Sequence, residues 1–135
     1  MSAEQPLILI VDDDFDFLEI NRIILEGAGY RVVTATNPAE AQARIAAEAP
    51  DLVITDLMMT SIDAGFAFAA QIKGDPRTAG VPIIISTSVS SALGLNFHPD
   101  SAEDLAKMNV DAYFDKPIDA PALLAKVGEL LAARG

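Results

Sequence analysis

The sequence predicts a doubly wound α/β domain, and three observations carry that prediction. Short apolar runs of strand length recur five times along the 135 residues. Segments of helical spacing, with cap residues before them and glycine or proline after them, lie between the runs. Three of the runs are apolar almost without a break, the pattern of strands covered on both faces of a parallel sheet.

Taken in order, the first run is Leu7–Val11. The helix after it places Phe17, Ile20 and Ile24 on one face with Leu18 and Leu25 beside them, and Gly27 and Gly29 end it. The second run is Arg31–Ala35, followed by Asn37-Pro38-Ala39-Glu40: a cap residue, proline at the first helical position and glutamate in the capping-box position. The third run is Leu52–Thr55, and its helix covers Ala64–Lys73, stopping before Gly74-Asp75-Pro76. The fourth is Ile83–Ser86, with a helix from Asp100 or Ser101 to Met108. The fifth is Ala112–Phe114, and the last helix runs from Asp119 to Ala133 with Leu123, Val127, Leu130 and Leu131 on one stripe. The order βαβαβαβαβα, with right-handed crossovers, puts helices on both faces of a parallel sheet. At this length the solution is a flavodoxin-like (βα)5 fold with five strands in the order 2-1-3-4-5. Residues 1–135 are expected to form a single domain, and the chain ends so soon after its last helix that no output domain is expected.

Bulk composition removes several function classes. A net charge of −11 argues against direct binding of nucleic acid or an anionic membrane surface, both of which need clustered Lys and Arg. The absence of cysteine excludes disulfides, thiolate catalysis and cysteine-based zinc sites. No secretory signal precedes the first strand, so the expected location is cytoplasmic. The uncharged stretch Thr78–Pro99 is broken by Gly80, Pro82, Gly94 and several Ser and Thr residues, unlike a spanning helix of about 20 apolar residues.

Five polar residues stand just past the ends of the apolar runs: Asp12, Asp13, Asp56, Thr87 and Lys116. Open α/β sheets bind ligands at the carboxyl ends of their strands, where the strand order reverses. In the order 2-1-3-4-5 that point lies between the first and third strands, where Asp12, Asp13 and Asp56 fall. Three converging carboxylates need a cation, and an all-oxygen set points to Mg²⁺, with Mn²⁺ as a substitute. Asp56 is the candidate nucleophile, because carboxylates form aspartyl phosphates. Lys116 supplies positive charge to phosphoryl oxygens, and Thr87 supplies a hydroxyl. Each residue alone has a plainer explanation: Asp12-Asp13-Asp14 as helix caps, Asp56 as a turn residue, Lys116 as a solvated surface charge. Their common placement at strand ends, in this order, is what favours one site.

These residues lie in four segments, LILIVDDD (Leu7–Asp14), DLVITDLMM (Asp51–Met59), VPIIIST (Val81–Thr87) and DAYFDKPI (Asp111–Ile118). Together they resemble the receiver domain of two-component response regulators, over essentially the whole chain. The resemblance implies that Asp12 and Asp13 are the acidic metal-binding pair, Asp56 the phosphoacceptor, and Met58 the donor of a backbone carbonyl to the metal. It further implies that Thr87 is the switch hydroxyl, Lys116 the phosphate-binding lysine with a cis bond to Pro117, and Tyr113 the switch aromatic. Asp56, Lys116 and Thr87 would then act together in the chain's own phosphorylation and dephosphorylation, without turnover of an external substrate. The implied partners are a histidine kinase or phosphotransfer protein upstream and a protein target downstream, with the chain a monomer or weak dimer.

The chain departs from the family pattern in two loops. Thr60 and Ala64 stand where the family usually has Pro and Gly, with Gly65 one residue later. The stretch Ser88–Pro99 is longer than usual; its Leu93, Leu95 and Phe97 pack on the domain or form a partner patch, and His98, the only histidine, has no kinase-like surroundings. Met58 and Val89, both apolar, flank the expected path of attacking water, which predicts slow loss of phosphate. The resulting expectation is a stand-alone, phosphorylatable signalling switch whose output is protein–protein contact. The alternatives are a receiver-fold adaptor that works without phosphorylation and a haloacid-dehalogenase-type phosphatase, which would need an acidic residue where Met58 stands. Flavodoxin, which shares the fold class, is disfavoured because three aspartates would repel the FMN phosphate.

Overall fold

The computed structural model describes residues 5–56, 70–87, 111–115 and 119–134. Its strands are β1 (Leu7–Val11), β2 (Arg31–Ala35), β3 (Leu52–Asp56), β4 (Ile83–Thr87) and β5 (Ala112–Asp115). Its helices are α1 (Phe15–Gly27), α2 (Pro38–Ala47) and α3 (Ala120–Arg134), with a further helical stretch at residues 70–74. All strands pair in parallel in the order β2-β1-β3-β4-β5, as the sequence predicts. β3, β4 and β5 each run one residue beyond their apolar runs, so Asp56, Thr87 and Asp115 take ladder positions themselves.

Strand alternation divides the core between two faces. Ile8, Ile10, Leu52, Ile54, Ile84 and Ala112 form one cluster with Phe17, Leu18 and Leu25 of α1 and Leu123 and Val127 of α3. Leu7, Leu9, Val11, Val53, Ile83 and Ile85 occupy the alternate positions and are equally buried. On that side α2, packed against β1 and β2, buries Ala41 and Ile45. Each fully buried isoleucine contributes roughly 1.5–3 kcal/mol, so the unbroken Ile83-Ile84-Ile85 segment anchors β4 on both faces of the sheet. Among the described residues, no helix is long and apolar enough to cross a membrane.

The helices begin as their cap residues predict. Asn37 accepts the Glu40 amide at 2.8 Å, and Pro38 takes the first turn. The Glu40 carboxylate reaches back one residue further than in the usual capping box, accepting the Thr36 amide at 2.7 Å. Asp119, which the sequence reading makes the first residue of the last helix, instead caps α3 by accepting the Ala122 amide at 3.1 Å. The helical stretch at residues 70–74 extends one residue past the predicted stop at Lys73. The other predicted parts of that helix, the fourth helix and both unusual loops lie outside the described residues.

One face assignment is corrected. The buried stripe of α1 is Phe17, Leu18, Asn21 and Leu25, whereas Ile20 is 58% exposed and Ile24 is half-buried. The sequence reading passed over Asn21 as polar and so rotated the stripe. Asn21 is tolerated in the interior because its amide donates to the Phe17 carbonyl at 2.8 Å. The helix ends through amide bonds from Ala28 and Tyr30 to the Leu25 carbonyl. Of its two closing glycines, Gly29 supplies the left-handed turn, at φ 98°.

Candidate functional site

The aspartate triplet after β1 divides into three roles. Asp14 caps α1, its Oδ1 accepting the amides of Asp16 at 2.9 Å and Phe17 at 3.4 Å. Asp13 is exposed. Asp12 is fully buried, and its Oδ1 accepts the Asp14 amide at 2.9 Å. The Asp12 amide in turn donates to the Ala35 carbonyl at 3.0 Å, carrying the β1–β2 pairing one step past the strand. This fixes Asp12 at the sheet edge, while the cap on α1 sets the direction in which the chain leaves that edge.

The parallel register brings Asp56 and Thr87 to the same edge. Val11 pairs with Thr55, so Asp12 and Asp56 are each the next residue beyond one rung. Asp56 pairs with Ser86, and Thr87 pairs with Asp115. The β1–β3 boundary is where the strand order reverses, the position at which open α/β sheets take ligands. Tyr113 lies lower, on the rung with Ile85. For Asp56, Thr87 and Tyr113 the backbone position is what the structure describes; Met58 and Lys116, with the Lys116–Pro117 bond, lie outside the described residues.

The described side chains of this set belong to Asp12 and Asp13, and among the described residues no group of three metal-capable side chains is complete. The chemistry of the donors nevertheless fits Mg²⁺. Asp12 and Asp13 offer hard carboxylate oxygens, and a third carboxylate belongs to the residue at the end of β3. A fully buried carboxylate stays ionised when hydrogen-bond donors or a cation compensate its lost hydration. The Asp14 amide is one such donor.

Sequence reasoning passed over Ser86, which sits on the rung with Asp56. It read the residue only as the last of an apolar run. The signal was a lone hydroxyl after three isoleucines, immediately before Thr87.

Comparison with known proteins agrees with this architecture. Residues 8–128 match the family model of the response regulator receiver domain. The DNA-binding dual master transcriptional regulator RpaA of Synechocystis is 35% identical over 93% of this chain, which spans 49% of that protein. The phosphate regulon transcriptional regulatory protein PhoB of Pseudomonas aeruginosa is 31% identical over 95% of the chain, which spans 52% of it. The chain thus covers about half the length of these two relatives. Among solved structures, a CheY-like response regulator receiver domain protein from Methanospirillum hungatei superposes with a TM-score of 0.78 at 28% identity, covering 97% of each chain. With the fold, the strand-end carboxylates and a match over nearly its whole length in agreement, the chain belongs to the response regulator receiver domain family, whose function is phosphoryl transfer onto an aspartate.

Proposed function

We propose that Asp56 is the phosphoacceptor and that residues 1–135 work as one receiver unit, a signalling switch. The observation that carries this reading is the convergence of β1 and β3 on carboxylates at the reversal point of the sheet. Receiver domains are signalling switches that bind Mg²⁺ at the phosphorylation site and interact with histidine kinases and downstream effectors. Here Asp12, Asp13, Asp56 and the Met58 backbone carbonyl would hold Mg²⁺. When bound, it neutralises charge on the transferring phosphoryl group.

In the proposed reaction a carboxylate oxygen of Asp56 attacks the phosphorus of a phosphohistidine on a kinase or phosphotransfer protein. The new bond is O–P; the N–P bond breaks, and the leaving imidazole keeps its electron pair and takes up a proton. Thr87 donates its hydroxyl, and Lys116 its ammonium, to phosphoryl oxygens. Those contacts favour the transition state because charge on these oxygens shifts as the group moves. Tyr113 follows Thr87 as the second switch residue, and the output is a protein–protein contact by a monomer or weak dimer. The net charge of −11 supports a protein target over nucleic acid. The proposal places the reaction in the cytoplasm, the family's usual setting, and includes no turnover of an external substrate.

The test is incubation with acetyl phosphate and Mg²⁺, read by intact mass. The expected result is a gain of one phosphoryl group, lost on chelation and in Asp56→Asn. No gain, or a gain that survives Asp56→Asn, overturns the assignment.

A further inference from the structure

Ser86 is fully buried, and among the described residues its Oγ is the one buried side-chain polar atom without a hydrogen-bond partner. It follows Ile83, Ile84 and Ile85 in a strand where an apolar side chain would fill the same space. A desolvated hydroxyl with no partner is unfavourable, and such groups in a native fold call for a specific cause.

Its place in the sheet indicates where a partner would come from. Ile54, Ile84 and Ala112 form one rung of the cluster under α1 and α3. Two residues further along each strand, the next rung of the same parity is Asp56, Ser86 and Phe114. Phe114 has no side-chain acceptor, so one supplied across the sheet comes from the β3 side, where Asp56 stands. Neighbouring strands lie about 4.8 Å apart, so groups on adjacent strands of one rung are near enough to hydrogen-bond as a side chain gains acceptor oxygens.

We propose that Ser86 is a second hydroxyl of the phosphoryl site, beside Thr87. Its Oγ–H donates to the aspartyl phosphate formed on Asp56. The inference rests on the reading of Asp56 as phosphoacceptor. The hydroxyl has no protein partner among the described residues of the unphosphorylated fold and acquires an acceptor with the phosphoryl group. Removing the hydroxyl therefore acts in opposite directions on the two states: it relieves the free protein and weakens the phosphorylated one. A serine with a purely structural role does not give that pair of effects.

The test measures binding of beryllium fluoride, a mimic of the aspartyl phosphate, by the full chain in Mg²⁺, alongside the melting temperature of the free protein. Wild type is expected to bind and Asp56→Asn not to. Ser86→Ala is expected to bind roughly threefold to tenfold more weakly, the size of one net hydrogen bond, while the free variant melts no lower than wild type. Ser86→Cys, similar in size but a weak donor, should fall between them and provides the comparison if the alanine variant folds poorly. Wild-type affinity in both variants overturns the role of Ser86 and leaves Asp56 standing. Failure of wild type to bind, or binding by Asp56→Asn, overturns both.

Discussion

The two edges of the sheet use the same residue type for opposite ends. At the amino edge, Asp51 and Asp111 precede β3 and β5, and each carboxylate accepts the amide that opens a neighbouring strand. Asp51 takes the Leu7 amide at 2.8 Å, and Asp111 takes the Ile83 amide at 2.8 Å. The backbone answers in kind: the Asp51 amide donates to the Leu7 carbonyl at 2.7 Å and the Asp111 amide to the Ile83 carbonyl at 2.8 Å. Lys73 adds its ammonium between the Val81 carbonyl at 3.1 Å and Asp111 at 3.4 Å. At the carboxyl edge, buried Asp12 takes the amide of its own turn while exposed Asp13 stands beside it. An aspartate that closes a ladder between two strands is a staple, whereas the aspartates gathered at the reversal point of the strand order make the proposed site.

The largest effect that separates the edges is expected from Asp12→Asn. Loss of even an outer-shell partner weakens metal binding by about tenfold to a hundredfold. Removing the charge at Asp12 should therefore reduce Mg²⁺ affinity by at least about tenfold, measured by titration calorimetry. Stability without metal should hold, because the asparagine oxygen still accepts the Asp14 amide. Unchanged Mg²⁺ affinity together with a large loss of stability would make Asp12 a staple and erase the distinction.

Asp111→Ala is expected to behave in the opposite manner. It strands the buried Ile83 amide and removes the carboxylate beside Lys73, which keeps its bond to the Val81 carbonyl. The cost is about 2 kcal/mol, within the range for bonds to charged groups, and appears as a lower urea midpoint with an unchanged slope. Phosphoryl uptake from acetyl phosphate should remain at the wild-type level. An uptake defect in folded Asp111→Ala would show that the amino edge also shapes the site.

The fold was legible because its signals are local and redundant: five apolar runs, caps such as Asn37, and the turn at Gly29. The backbone placement of Asp12, Asp56 and Thr87 at the carboxyl edge was legible for the same reason, since strand ends follow from the runs and the register follows from the order. Three things were less so. Asn21 hid the stripe of α1, because its amide bond to Phe17 O is a tertiary accommodation that no hydropathy pattern displays. Asp51 and Asp111 lie inside the family-like segments, yet their bonds reach 44 and 28 residues away in sequence. Ser86 looked like the tail of an apolar run until its burial and its rung with Asp56 were both visible.

A third aspartate near the amino edge sharpens the comparison by the smallest effect. Asp75 follows the helical stretch at residues 70–74 and accepts the Arg77 amide at 2.9 Å and its guanidinium at 3.1 Å. The guanidinium, and then the Arg77 amide, hold its carboxyl below the usual carboxylate range. A folded-state pKa below the unfolded one makes the charged form the stabilising one. The contribution is present above the unfolded value of about 4 and is lost as pH falls through the lower folded value. Both groups meet solvent, with the Arg77 side chain 60% exposed, so screening keeps the effect small. Asp75→Asn should lower the melting temperature slightly at neutral pH and converge on wild type in acid. Raising salt should shrink the difference at neutral pH, unlike that of Asp111→Ala, whose stranded Ile83 amide is buried. A salt-independent loss in Asp75→Asn as large as that in Asp111→Ala would mean that an exposed carboxylate beside its own arginine holds the fold as firmly as one that bridges two strands at a buried position, and would erase the comparison.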